Sequence, residues 1–170
     1  VFLCGLMVGR TPEFFGKKLE AKEMQIITFL ILIHPIIILV PSALSLINDL
    51  GTSGITNSGF HGISQVLYEY TSSAANNGSG FEGLGDGTTF WNIMTGIVML
   101  LGRYISMILM VIVGYSLYNK QPVPVNASTF KTANLTFSFI LFFLILIIGA
   151  LTFLPALALG PIAEHLSIWG

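Results

Sequence analysis

Long apolar stretches alternate with short polar ones along this chain. Three apolar stretches, at 25–47, 90–118 and 135–159, each exceed the roughly 20 residues that a helix needs to cross a bilayer. The first and third carry no charged residue, and the second carries only Arg103. The pattern therefore predicts three transmembrane helices, and residues 1–8 are expected to be the end of a further, truncated one.

The basic residues predict the orientation of these helices, because cytoplasmic loops of membrane proteins are enriched in Lys and Arg. Four basic residues lie in 9–24 and two lie in 119–134, whereas 48–89 contains none. We therefore expect 9–24 and 119–134 to be cytoplasmic loops. The same rule predicts that the segment 48–89 and the tail 160–170 are extracellular.

The composition strengthens this interpretation. Hydrophobic residues make up 54% of the chain, charged residues only 9%, and the mean hydropathy is +0.83. Soluble proteins carry about 25% charged residues, so these values indicate an all-α membrane protein embedded in a lipid bilayer. The net charge of -1 offers no basic surface, which argues against a nucleic-acid partner.

The extracellular segment 48–89 contains a second kind of helix. Apolar residues recur at helical spacing within 60–70, but this stretch is too short to cross a bilayer. Small and polar residues follow it before the next apolar stretch begins at 90. This order of span, short re-entrant helix, polar loop and span is typical of a pore hairpin, in which irregular backbone lines a watery cavity.

The polar loop contains the pattern G-x-G-x-x-G at Gly78, Gly80 and Gly83. A dinucleotide-binding site requires these glycines between a buried strand and a helix, and the residues around them do not fit that context. A selectivity filter instead requires backbone carbonyls that replace the hydration shell of an ion, and glycine permits the necessary angles. A flexible exterior loop is the alternative; the short helix before the loop favours the filter.

Four blocks carry a resemblance to a known family: GLMVGRTPEFFGKKLEAKEM, YTSSAANNGSGFEGL, MLLGRYISM and GALTFLPALALGPIAEHL. In this order they resemble the C-terminal part of the potassium-binding, channel-like A subunit of the bacterial Kdp potassium-transporting ATPase. That family implies four span-pore-span units around one pore, with an extra span at each end. The chain would then contain the end of unit three (1–8), all of unit four (25–118) and the final span.

The resemblance also implies the site and the partners. Potassium would be coordinated by main-chain carbonyls, first of all those of Asn77 and Gly78 and secondarily those of Asn76 and Ser79, as one quarter of a filter. ATP hydrolysis would occur in a P-type ATPase catalytic subunit, so this chain would be non-hydrolytic and would bind no nucleotide. Small accessory membrane subunits would complete the complex in the bacterial cytoplasmic (inner) membrane, in which this chain would be multi-pass.

Arg103 lies twelve residues after Trp91, or roughly 18 Å along a helix, near the middle of the predicted span. An arginine at that depth costs about 2.5 to 3.5 kcal/mol, so we expect it to face a pore, water or a partner. One hypothesis is that Arg103 gates ion passage or couples it to the pump, as the resemblance implies. The alternative is a salt bridge that fixes helix packing. Gly102 beside it marks a place where the helix is predicted to break or kink.

Several function classes stay open at this point. The leading one is a potassium-translocating subunit of an ATP-driven pump, and a self-contained potassium channel or symporter of the same superfamily is the runner-up. A purely structural membrane subunit is a third possibility. An intramembrane enzyme is disfavoured because the spans contain few ionisable side chains. His61 is expected to cap or pack the short helix, and Glu164 and His165 to form a solvated end.

Overall fold

The computed structural model describes residues 13–124 and 135–169, with the side chains of 152–156 excepted. The predicted truncated helix at 1–8 lies outside the described residues. The described elements are a hairpin of β1 (Glu13–Phe14) and β2 (Lys17–Lys18), followed by α1 (Ala21–Ile47), α2 (Asp49–Thr52), α3 (His61–Ala75), α4 (Thr89–Tyr118) and α5 (Leu135–Trp169).

Two of the helices are long and apolar enough to cross a membrane. They are α1, with 27 residues, and α4, with 30. Helix α5 contains the apolar stretch Leu135–Leu151. The predicted membrane protein made of helices is confirmed in this coarse form. A short antiparallel hairpin of β1 and β2 accompanies the helices, and its turn places Phe15 and Gly16 at positive φ.

The short helix α3 packs against both α1 and α4 and forms the centre of the core. Val66 and Tyr70 of α3 and Trp91 of α4 are completely buried. The Tyr70 ring lies 5.4 Å from the Trp91 ring, and the Tyr70 hydroxyl is 2.7 Å from Ser45 Oγ of α1. The most buried helix of the described chain is thus one too short to span a bilayer, which fits a segment enclosed by protein.

Helix α4 is continuous from Thr89 to Tyr118, so the predicted break at 102–103 is absent; a kink there stays a prediction. Gly102 serves another purpose. A Cβ at this position would overlap the carbonyl oxygen of Ala74 in the last turn of α3. The missing side chain lets the end of α3 contact the middle of α4, because only glycine permits so close an approach of two backbones.

Helix α5 extends through Trp169, so the predicted tail at 160–170 is helical as far as that residue, and its extracellular location stays a prediction. The extra turns pack against the start of α3. A Cβ at Gly160 would overlap Ser64 Oγ, and Glu164 Oε2 lies 3.3 Å from His61 Nδ1. His61 therefore packs as expected, whereas Glu164 is not merely a solvated end. The helix continues to Trp169 because these contacts with α3 stabilise its final turns.

A group of polar residues joins the start of α1 to the end of α4, and we call it the Glu23 clasp. Glu23 is 1% exposed, accepts a hydrogen bond from Ser116 Oγ, and lies 2.7 Å from Lys120 Nζ. Lys120 also donates to Glu20 and to the carbonyl of Lys18. Desolvation lowers the pKa of Lys120, whereas its hydrogen bonds to Glu23 and Glu20 raise it. The raising effects together are larger, so the pKa of Lys120 lies above its ordinary value.

Candidate functional site

Helix α3 ends at Asn76, where the glycine loop (Asn76–Gly87) begins. Asn76 adopts the left-handed conformation, with φ 58° and ψ 32°, and its N–H donates to carbonyls of the last helical turn. Asparagine tolerates this conformation better than most residues and commonly ends helices. Its side-chain Nδ2 donates to Met99 O at 3.1 Å and to Ala74 O at 3.2 Å. These bonds fix the point at which the loop leaves the helix.

The side chain of Asn77 folds back onto the loop. Its Oδ1 accepts hydrogen bonds from Ser72 Oγ at 2.6 Å and from the Ser79 N–H at 3.3 Å. The Ser79 hydroxyl also lies 3.2 Å from Asn77 Oδ1 and 3.1 Å from Ser72 Oγ. The side chains of Asn76 and Asn77 thus hold the loop in shape.

The three glycines of the G-x-G-x-x-G pattern all need positive φ. The angle is 71° at Gly78, 57° at Gly80 and 94° at Gly83. At Gly78 a Cβ would meet nothing within 4 Å, and Asn77, Gly78 and Ser79 are all exposed. Asn77, Gly78 and Ser79 therefore lie together on an open surface of this chain, whereas Asn76 is partly buried. The glycines are explained by their backbone angles.

The loop joins helix α3 to helix α4, whereas a dinucleotide-binding turn would join a strand to a helix. The observed setting therefore agrees with the rejection of the dinucleotide interpretation. Thr88 ends the loop by accepting a hydrogen bond from Trp91 N at 3.3 Å, as an N-cap of α4.

Three buried polar residues on one face of α3 hold the returning part of the loop. Ser72 Oγ accepts from the Gly80 N–H at 2.9 Å, and Glu69 Oε2 accepts from the Phe81 N–H at 2.9 Å. Gln65 Nε2 donates to the hydroxyl of Thr56, which in turn donates to Gly83 O at 2.6 Å. We call Gln65, Glu69 and Ser72 the polar ladder.

The sequence interpretation missed the polar ladder. A signal was present: residues 65, 69 and 72 follow the i, i+4, i+7 spacing that places side chains on one helix face. On a surface helix such a face would contact water. Here all three side chains are at least nine-tenths buried, which the spacing alone does not reveal.

Arg103 lies four residues after Met99, which is about 6 Å further along α4 from the end of α3. It is exposed on the surface of this chain. Within residues 13–124 and 135–169 no carboxylate forms an ion pair with it. The described part of the chain therefore offers no support for the packing salt bridge.

The sequence of this chain is similar to those of a known family of proteins. Residues 1–166 match the family described as Potassium-transporting ATPase A subunit. The chain is 65% identical over 168 residues to the potassium-transporting ATPase potassium-binding subunit of Geobacillus kaustophilus, covering 99% of this chain and 30% of that protein. It is 59% identical, with the same coverage, to the subunit of the same name from Clostridium acetobutylicum.

The chain spans about 30% of the length of these curated relatives. The match runs through the described helices and through the glycine loop between α3 and α4. It confirms the family that the four sequence blocks predict. This chain belongs to the potassium-transporting ATPase A subunit family.

Proposed function

We propose that this chain is part of the potassium-binding and translocating subunit of an ATP-driven potassium uptake pump, and that residues 76–79 supply one quarter of its selectivity filter. The observation that carries the proposal is the exposed, left-handed Gly78 at the end of a buried short helix between two apolar helices. Both relatives are named potassium-binding subunits, which supports potassium as the ion.

The direction of α3 favours a cation at this place. The carbonyl end of a helix carries roughly half a negative elementary charge, which attracts cations. In this chain that end lies beside Asn77 and Gly78, and the contact with Met99 and Gly102 places it at mid-length of α4. A cation at the open surface of 77–79 would thus meet carbonyl oxygens and the negative helix end together.

Arg103 has a separate proposed role. Its position one turn beyond Met99 places a fixed positive charge past the loop, on the side of α4 away from Thr89. A cation leaving the filter in that direction would meet this charge. We propose that Arg103 gates ion passage or couples it to the pumping subunit. Exposure of its side chain in this chain supports a contact with the pore or a partner.

The wider assembly is also a proposal. By resemblance, the described helices form the fourth span-pore-span unit and the final span, in the C-terminal part of the longer subunit. The P-type catalytic subunit would hydrolyse ATP, and small accessory subunits would complete the complex in the bacterial inner membrane. The distribution of Lys and Arg supports an extracellular glycine loop.

The direct test is potassium-dependent ATP hydrolysis by the complete purified complex carrying Gly78→Asp. A Cβ at 78 strains the backbone at φ 71° but projects into open space, so we expect the complex to assemble. The half-activating potassium concentration should rise at least about tenfold, or about 1.4 kcal/mol. Gly59→Asp is the matched control. Gly59 also has positive φ (68°) and an open surrounding, but it precedes α3.

The control separates backbone strain from ion binding. Gly59→Asp should leave the half-activating concentration unchanged. An unchanged potassium dependence in assembled Gly78→Asp complex would contradict the proposal that residues 76–79 form part of the selectivity filter. Potassium flux that persists without ATP and without the catalytic subunit would favour the self-contained channel or symporter instead.

A further inference from the structure

Glu69 lies directly behind the glycine loop, and the proposed function does not yet account for it. Its side chain is 6% exposed, and its Oε2 accepts a hydrogen bond from the Phe81 N–H at 2.9 Å. The same oxygen would lie 3.1 Å from a Cβ at Gly80. The carboxylate therefore binds the returning backbone at Phe81 and occupies the space into which a side chain at residue 80 would project.

A buried carboxylate is costly unless hydrogen bonds or an opposite charge compensate it. Within the described ranges 13–124 and 135–169, no Lys or Arg forms an ion pair with Glu69. The main-chain N–H of Phe81 is its hydrogen-bond donor in these ranges. Loss of this acceptor would leave the part-buried Phe81 N–H without its partner, which costs free energy.

Phe81 is held by its side chain as well. Its ring makes edge-to-face contacts with Tyr68, at 5.8 Å between centroids, and with His61, at 6.3 Å. Both partners belong to α3. Phe81 is thus fixed to the helix through its ring and through its amide.

The two ends of the proposed ion-binding stretch are therefore anchored on one helix. Ser72 anchors Asn77 at the leaving end and also accepts the Gly80 N–H, and Glu69 anchors Phe81 at the returning end. Between them lie Gly78, Ser79 and Gly80, two of which are glycines at positive φ. Because glycine restricts its own backbone least, the anchors must define the conformation of this stretch.

We propose that Glu69 is a positioning residue for the filter loop. By accepting the Phe81 N–H, it holds the carbonyls of 77–79 in the conformation that binds the ion, and it thereby sets potassium affinity and the preference for potassium over sodium. This inference rests on the proposed function of the loop. Glu69 would not contact the ion itself and would act through the backbone of the loop.

The test compares Glu69→Ala, Glu69→Gln and Tyr70→Phe in the complete complex. Glutamine keeps an oxygen that accepts the Phe81 N–H, whereas alanine removes the acceptor. Tyr70→Phe removes a buried hydroxyl from the next residue of α3, whose bond is to Ser45 of α1 and not to the loop. It therefore controls for a general weakening of the helix.

The measurements are half-activating concentrations of potassium and of sodium for ATP hydrolysis, with the melting temperature of each complex. Glu69→Ala should raise the half-activating potassium concentration about tenfold or more and reduce the preference for potassium over sodium. Glu69→Gln should stay within about threefold of the native value. Tyr70→Phe should lower the melting temperature without changing the ion preference.

The proposal is overturned if Glu69→Ala keeps native potassium affinity and preference, or if Glu69→Gln is as impaired as Glu69→Ala. Gly78→Asp is measured in parallel. If the half-activating potassium concentration rises in Gly78→Asp but not in Glu69→Ala, the role of Glu69 is rejected and the proposed filter is retained. If it rises in neither variant, the proposed filter is rejected as well.

A second variant serves if Glu69→Ala does not assemble. Gly80→Ala would place its Cβ 3.1 Å from Glu69 Oε2, so the carboxylate must shift by a few tenths of an ångström, and the half-activating potassium concentration should rise. Gly59→Ala controls for positive φ in open space and should have no such effect. Native potassium dependence in assembled Gly80→Ala complex would likewise overturn the role of Glu69.

Discussion

The side-chain Nδ2 of Asn76 donates a hydrogen bond to the main-chain carbonyl of Met99, 3.1 Å away, and so ties the end of helix α3 to the middle of helix α4. This bond joins residues 23 positions apart. It sets the depth at which the glycine loop starts, relative to the apolar helix beside it.

Asn76→Gly should remove this tie without straining the backbone, because glycine adopts the left-handed conformation readily. We expect a loss of about 1 kcal/mol in stability, the usual net value of one hydrogen bond. Thermal unfolding of the purified complex would measure it. An unchanged melting temperature would show that the Asn76 bond does not hold the two helices together.

Gly102→Ala should destabilise the protein by about 1 to 3 kcal/mol, as overpacking of a close contact does. The new Cβ would overlap the carbonyl oxygen of Ala74 and push α3 away from α4. Gly114→Ala is the matched control on the same helix, since a Cβ there meets nothing within 4 Å. Thermal unfolding should separate the two variants, and equal melting temperatures would contradict the close approach at Gly102.

Arg103→Gln should alter transport more than stability. The side chain is exposed and lacks an ion pair within the described residues, so the melting temperature should stay nearly constant. We expect the potassium transport rate to change by about tenfold, which corresponds to roughly 1.4 kcal/mol in the barrier. Flux into vesicles that contain the complex would measure this.

Arg103→Lys supplies the control for Arg103→Gln, because it keeps the positive charge at nearly the same place. Restoration of the native rate by lysine would support an electrostatic role. A large fall in melting temperature for Arg103→Gln would instead point to a packing role, through a partner beyond the described residues.

Lys120→Met should weaken the Glu23 clasp, because it leaves the 1%-exposed carboxylate of Glu23 without its cation. The melting temperature should fall, whereas Lys22→Met, on the exposed face of the same region, should have little effect. Equal melting temperatures for the two variants would show that the clasp contributes nothing to stability.

The pH dependence of the clasp follows from the raised pKa of Lys120. A lysine whose pKa is higher in the folded state contributes stability fully below its ordinary pKa of 10.5 and loses that contribution as pH rises through the folded value. The difference between native protein and Lys120→Met should therefore be constant near neutral pH and shrink only in strongly alkaline solution. A difference that already disappears by pH 8 would contradict this assignment.

The length of the apolar stretches by itself determined the long helices. The predicted spans at 25–47 and 90–118 agree with α1 and α4 to within a few residues, because a run of apolar residues longer than a bilayer requires has few other solutions. The short helix at 60–70 was also predicted, and α3 covers it. Glycine spacing identified the loop at 76–79, since positive φ is a local property of the chain.

Only the tertiary structure decided which groups meet. Glu69 and Phe81 are twelve residues apart, Gly102 contacts Ala74, and Glu164 reaches His61 from another helix. None of these contacts follows from the local pattern, because each depends on how the chain returns against α3. The same holds for the length of α5, whose last turns persist where contacts with α3 stabilise them. Periodicity fixes what each segment can form, and packing selects the partners that complete it.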